Sequence, residues 1–193
     1  MRKSVSAIIT AAGSSGRMGS AKALLRHASG SSFARYLLNC FGLYGCNPVI
    51  LVVSEELDVP ELRSGSHQLA VNHHPELGRS HSIHIGLQYV PEGSACFIHN
   101  VDNPFLSPEL LDELIRKSHP DSYTVPVYQK HGGHPILPGS GVVDFMRNLD
   151  QITDFRELLN GFTRIEIPWR DKQILWNVNT PEDYENYLQF DQP

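Results

Sequence analysis

The sequence predicts an α/β protein: a Rossmann-like, mostly parallel sheet with helices on both faces. Two observations carry this reading. Through the first two thirds of the chain, short apolar stretches alternate with stretches of helical periodicity, the pattern of strands joined by crossover helices. Turns rich in small residues or ending in Asp follow the first and fourth of those stretches, and ligands of parallel sheets collect beyond the carboxyl ends of strands.

Taken in order, residues 5–10 (Val-Ser-Ala-Ile-Ile-Thr) read as a buried opening strand. Residues 33–44 carry Phe33, Leu37, Leu38 and Phe41 at helical spacing and stop at Gly45. Residues 49–53 form a β-branched second strand. A weak helix over 57–64, a short strand over 68–71, a helix over 80–89 and a fourth strand over 95–99 follow. Ser107-Pro108-Glu109 is a helix start, with a capping hydroxyl, Pro at the first helical position and an acid in the first turn. Residues 123–128, 164–169 and 175–178 read as strands, and 142–149 and 154–159 as helical pieces. Thr180-Pro181-Glu182-Asp183 opens a last helix by the same capping logic.

The chain has 193 residues, enough for one α/β domain spanning 1–193. Its formal net charge is −5, which argues against a nucleic-acid partner but leaves room for a small cationic pocket. The apolar stretch near the start is too short for a signal peptide, and no stretch approaches the ~20 apolar residues of a membrane span. Three cysteines without CxxC or zinc spacing suit reduced thiols and a cytoplasmic location. The ten histidines form neither HExxH nor a His/Cys zinc pattern; His81 and His84 share a predicted helix face, but a metal-free reading is preferred. Trp169 and Trp176 read as core rather than stacking platforms. Oligomeric state is not legible.

Residues 11–22, after the first strand, carry the chemistry. Gly13, Gly16 and Gly19 let backbone N–H groups approach an anion, Ser14 and Ser15 add hydroxyls, and Arg17 and Lys22 add fixed positive charge. This fits a triphosphate, although the spacing is neither a Walker loop nor a dinucleotide fingerprint. Asp102 ends the fourth strand and is the best candidate ligand for Mg²⁺, which takes oxygen donors and keeps several waters. An Asx turn there is the lesser reading, because Ser107 already caps the next helix.

Ala11-Ala12-Gly13 through Arg17-Met18-Gly19 to Lys22 resembles the A-A-G-x-S-x-R-M-G-x-x-K signature of the MobA-like NTP transferases, the molybdenum cofactor cytidylyl- and guanylyltransferase-like nucleotidyltransferases. Further matches follow in family order: Gly78-Arg-Ser80-His-Ser82, Asp102-Asn103-Pro104, Gly133-His134-Pro135, Asp154-Phe-Arg156 and Asn177-Val-Asn179-Thr-Pro-Glu-Asp183. The resemblance spans nearly the whole chain. It implies transfer of a nucleoside monophosphate from an NTP to a phosphorylated small-molecule acceptor, molybdopterin in the nearest kin, with Mg²⁺ as cofactor and loss of pyrophosphate. It implies catalytic roles for Arg17, Lys22 and Asp102. Nucleotide contacts would come from Ala11, Ala12, Gly13, Ser14, Ser15, Gly16, Arg17, Lys22, Ser80 and Ser82. Asn179 is the second choice of metal ligand or an acceptor contact, and His134 and Asn177 fall on the acceptor side.

The base stays open: Ala11-Ala12-Gly13 resembles cytidylyltransferases, whereas Asn177 and Asn179 resemble guanylyltransferases, and CTP is favoured. Departures at Val101, Asn103, Gly132 and 151–154 leave the acceptor open. GMP transfer, a sugar or alditol phosphate acceptor, and a non-catalytic nucleotide-binding regulator are the alternatives. A dinucleotide oxidoreductase would use an acid near Glu55, but the glycine spacing is wrong for it.

Overall fold

A computed structural model describes residues 5–13, 18–57 and 60–190. β1 (Val5–Thr10), α1 (Phe33–Tyr44), β2 (Val49–Ser54), α2 (Pro60–Arg63), β3 (Gln68–Asn72), α3 (Gly78–Leu87) and β4 (Ala95–Asn100) build the first half. The strands pair in the order β3-β2-β1-β4, all parallel, with Thr10 opposite Val52 and Asn100. α4 (Pro108–Lys117), β5 (Ser122–Tyr128), β6 (His131–Gly132), β7 (Leu137–Pro138), α5 (Ser140–Arg147), α6 (Phe155–Leu159), β8 (Thr163–Pro168) and α7 (Pro181–Phe190) follow. β5 pairs parallel with β8 and antiparallel with β6 and β7. An antiparallel bridge between Ile98 and Ile136 joins this second sheet to the edge strand β4.

Strand alternation assigns the two faces. Ala7 and Ile9 of β1 and Leu51 of β2 join Phe41 of α1, Leu114 of α4 and Tyr187 of α7 in one core. Ile8 and Ile50 join Ile83 of α3, Met146 of α5 and Leu159 of α6 in the other. Helices therefore cover both faces, as the periodicity predicts.

The capping residues act as read. The Ser107 hydroxyl accepts from the Leu110 N–H at 3.3 Å and starts α4. At α7, Thr180 Oγ1 accepts from the Asp183 N–H at 3.1 Å while Asp183 Oδ2 accepts from the Thr180 N–H at 2.9 Å, a reciprocal capping box. Gly45 ends α1 at φ 100°.

Three expectations need correction. α3 starts at Gly78, two residues before the predicted start, because a 3-10 turn over Pro75–Leu77 runs straight into it. Residues 175–178 are not a strand: Lys172–Leu175 forms a 3-10 turn capped by Asp171, whose Oδ1 accepts from the Gln173 N–H at 2.9 Å. The backbone N–H of Val178 is taken by the Asp102 carbonyl at 2.7 Å instead of by a strand ladder. The weak helix over 57–64 resolves into a 3-10 turn over Glu55–Leu57 and the short α2. Trp169 and Trp176 are half-buried and pack against the core, as expected, and Trp176 also stacks on Phe105 at 5.2 Å between centroids.

Gly133 shows how tightly the Lys172–Leu175 turn is held, since a Cβ there would lie 2.4 Å from the Ile174 carbonyl oxygen. Gly133→Ala should therefore cost about 2 kcal/mol or more, whereas Gly42→Ala, in α1 with nothing within 4 Å, should gain about 0.5–1 kcal/mol. Urea unfolding of the two variants checks the opposite signs.

Candidate active site

Because β1 to β4 run parallel, the turns leaving all four carboxyl ends lie along one edge. A cleft of about 1160 Å³ follows that edge and is lined by Ala11, Ala12 and Gly13 after β1, Glu55 after β2 and Asn72 at the end of β3. A smaller cavity of about 170 Å³ adjoins it, shares Ala11 and Gly13, and reaches Lys22, Arg79, Ser82 and Asp102. The loop after β1 and Asp102 thus meet on one edge, as the strand order requires. Ser14, Ser15, Gly16 and Arg17 lie outside the described residues.

The centre of the cavity is a three-residue contact. Lys22 Nζ donates to Asp102 Oδ2 at 3.1 Å and to Asn179 Oδ1 at 2.5 Å. The two charged side chains are only 16% and 19% exposed, so their attraction is far less screened than that of a surface pair. Backbone bonds fix the two oxygen donors: the Val178 N–H donates to the Asp102 carbonyl, and the Asn179 N–H donates to Asp183 Oδ2 at 3.0 Å. Asp102 Oδ1 and Asn177 Oδ1 are buried without a hydrogen-bond partner. An orphaned oxygen on Asp102, whose other oxygen shares the Lys22 ammonium with the Asn179 amide oxygen, gives a donor set suited to Mg²⁺, which needs few protein oxygens. Among the described residues, no group of three or more His, Cys, Asp or Glu side chains is placed to hold a metal ion.

The other predicted site residues are placed as follows. The Ser82 hydroxyl is buried, accepts from Asn72 Nδ2 at 3.0 Å and lines the small cavity. The Ser80 hydroxyl accepts from the Phe155 N–H at 3.0 Å, tying the start of α3 to the start of α6. His134 stands beneath Asn100, not on the cavity wall. Thr10 Oγ1 donates to Asn100 Oδ1 at 3.1 Å, which leaves Asn100 Nδ2 to donate to His134 Nε2 at 3.1 Å. His134 is therefore neutral with its proton on Nδ1, and that nitrogen is buried without a partner. Burial, helped by the Arg79 charge, holds its pKa well below the ordinary value.

Sequence reasoning missed three contributors. Arg79 lines the cavity beside Asp102, with its guanidinium 5.7 Å over the Phe155 ring. The residue is exposed, yet desolvation by neighbouring groups pushes its pKa down to about 10 against the favourable Asp102 charge, so it stays cationic at neutral pH. Its signal was its place between the matched Gly78 and Ser80. Asn103 is fully buried; its Nδ2 donates to the Gln173 and Ile174 carbonyls at 3.2 and 3.3 Å and anchors the Asp102 turn to the Lys172–Leu175 turn. His99 is fully buried and donates from Nε2 to the Asn103 carbonyl at 2.7 Å, with burial pushing its pKa down to about 4.

This edge-on cleft and its cation–carboxylate centre define a nucleotide-handling α/β transferase fold. The chain belongs to the MobA-like NTP transferase domain family, which it matches over residues 7–166. It is 24% identical over 183 residues to the molybdenum cofactor cytidylyltransferase of Escherichia coli K12, covering 93% of each chain. Among solved structures it is similar to Rv0371c from Mycobacterium tuberculosis H37Rv, with a TM-score of 0.80, 19% identity, and 98% and 99% of the two chains covered. It is also similar to molybdopterin-guanine dinucleotide biosynthesis protein A from Archaeoglobus fulgidus, with a TM-score of 0.71, 18% identity, and 96% and 97% covered.

The buried histidines set a pH dependence. Unfolded His99 titrates near the ordinary 6.5 and folded His99 at about 4, so between these values only the unfolded chain is protonated. His99's contribution to stability is complete above pH 6.5 and is lost as pH falls toward 4, by up to about 1.4 kcal/mol per pH unit. His99→Gln should flatten the plot of unfolding free energy against pH between 6.5 and 4.5. An unchanged slope would mean that His99 is not held neutral in the fold.

Proposed function

We propose that this chain transfers a nucleoside monophosphate, CMP in preference to GMP, from an NTP to the phosphate of molybdopterin, with release of pyrophosphate. The observation that carries the reading is the Lys22–Asp102–Asn179 contact at the carboxyl edge of a parallel sheet. The likeness to the E. coli cytidylyltransferase supports the choice of base and acceptor. Support for a divalent cation comes from a second structure of Rv0371c, a complex with manganese.

On this reading residues 11–13 and 18–22 border the triphosphate, and Arg17 joins Lys22 on its β- and γ-phosphates. Asp102 and Asn179 would hold Mg²⁺ through side-chain oxygens. The metal would supply neutralisation of charge on the departing pyrophosphate. Lys22 leaves Asp102 for the phosphates when nucleotide enters, so the carboxylate becomes available to the metal as the ammonium finds a stronger anion. Ala11 and Gly13 line both cavities, which supports an α-phosphate lying between the large cleft and Asp102. Ser82 and Ser80 bear on the ribose side, and Asn177 and His134 on the acceptor side, where neutral His134 orients Asn100. No general base is needed, because a phosphate acceptor is already anionic near pH 7.

Among the described residues no helix is long and apolar enough to cross a membrane. The three cysteines are free thiols, and burial pushes Cys46 up to about 12, which suits a reducing compartment such as the cytoplasm.

Pyrophosphate release tests the assignment. With Mg²⁺, CTP and molybdopterin the wild type should turn over, with CTP preferred to GTP. Asp102→Asn should fall by about a hundredfold or more with CTP binding largely kept, and Lys22→Ala should lose the thermal shift given by CTP. CTP binding without turnover for any acceptor would favour a regulator, and an undiminished shift in Lys22→Ala would sink the loop assignment.

A further inference from the structure

Arg79 and Arg156 are two cations that no carboxylate contacts directly among the described residues, although the Asp102 charge lies near enough to favour the charge on Arg79. Through their guanidinium groups neither makes a hydrogen bond or ion pair among the described residues; Arg156 is held only through its backbone N–H, which donates to Asp154 Oδ1 at 2.8 Å. By contrast, Arg116 pairs with Glu113, and Arg147 with Asp144 and Glu92.

The backbone brings the unmatched pair together. The Phe155 N–H donates to Ser80 Oγ at 3.0 Å, so the first turns of α3 and α6 are pinned to each other. Arg79 and Arg156 flank that bond, each one residue from it. Phe155 lies under the Arg79 guanidinium, 5.7 Å from ring centroid to Cζ, and Arg79 lines the small cavity together with Asp102. The Arg156 charge is near enough to disfavour the charge on Arg79. Asp102 offsets part of the Arg79 charge, and both guanidinium groups keep their N–H donors available to an anion.

We propose that Arg79 and Arg156 form a phosphate-binding subsite at the mouth of the Asp102 cavity, and that it takes the phosphate monoester of the acceptor. Two guanidinium forks match the oxygens of a phosphate dianion and can each engage it in bidentate fashion. Arg79 lines the same small cavity as Lys22 and Asp102; with Lys22 on the nucleotide's β- and γ-phosphates, an anion on the arginines would be a second, separate phosphate, as transfer to a phosphorylated acceptor requires. The assignment to the acceptor rests on the transferase reading above. The anion site itself does not.

The test uses the full chain and inorganic phosphate as probe, following arginine Nε–Hε signals by NMR and heat by calorimetry, with and without CTP. The wild type should bind phosphate saturably in both conditions. Arg79→Gln and Arg156→Gln should each weaken it by about tenfold, with CTP affinity and melting temperature little changed, and Arg79→Lys should recover part of the loss. Absence of saturable phosphate binding to the wild type, or an affinity unchanged from the wild type in both variants, would overturn the subsite. Loss of phosphate binding when CTP is bound, or a tenfold loss of CTP affinity in Arg79→Gln, would assign the pair to the nucleotide's own phosphates and overturn the acceptor assignment. Arginine-dependent phosphate binding in a chain that fails to bind CTP would support the subsite while removing the transferase reading.

Discussion

The site depends on one contact, the Lys22 ammonium held between Asp102 and Asn179. Its members lie 80 and 157 residues from Lys22 in sequence, so three separate parts of the chain must be correctly placed for it to form. The parallel order β2-β1-β4 puts the exits of β1 and β4 side by side, and the Val178 N–H to Asp102 carbonyl bond brings the approach to α7 onto the same point. An exposed pair such as Arg116–Glu113 contributes about 0–1 kcal/mol at most. The Lys22–Asp102 pair is shielded, so loss of either partner strands a charge that water solvates poorly, at a cost approaching the ~3–5 kcal/mol of buried pairs.

Around that contact the charge is arranged in layers. Lys22 and Arg79 face the cavity, while His99 and His134 beneath it are kept uncharged by burial. Neutral imidazoles still provide hydrogen-bonding geometry: His99 fixes the Asn103 turn and His134 fixes Asn100. A protonated ring at either place would add a third positive charge close to Arg79, a repulsion that Asp102 alone would not offset.

Most of the frame is legible in the sequence because local signals agree with tertiary ones. The β-branched stretches became β1 and β2 within a residue, and Ser107, Asp154 and Thr180 cap helices because their hydroxyls and carboxylate face bare backbone N–H groups. Alternation failed at residues 175–178, where a four-residue apolar pattern has too little length to separate a strand from a turn and the Asp102 carbonyl claimed the Val178 N–H. In the site, Lys22, Asp102 and Asn179 were legible through glycine spacing and ordered motifs. Arg79 was marked only by its place between the matched Gly78 and Ser80, and its environment is set by Phe155, 76 residues on, beside a helix-to-helix hydrogen bond. His99 reads as one more apolar-strand residue; only the fold shows that its ring is enclosed.

The proposal at the centre is that Asp102 would hold the metal once Lys22 releases its carboxylate to the incoming nucleotide. Electron paramagnetic resonance of Mn²⁺, titrated into the chain with and without CTP, measures this directly. The account predicts weak Mn²⁺ binding to the free chain, binding at least about tenfold tighter with CTP, and loss of most of that gain in Asp102→Asn beyond what CTP alone binds. Equal Mn²⁺ affinity with and without CTP, or an Asp102→Asn variant indistinguishable from the wild type, would contradict it.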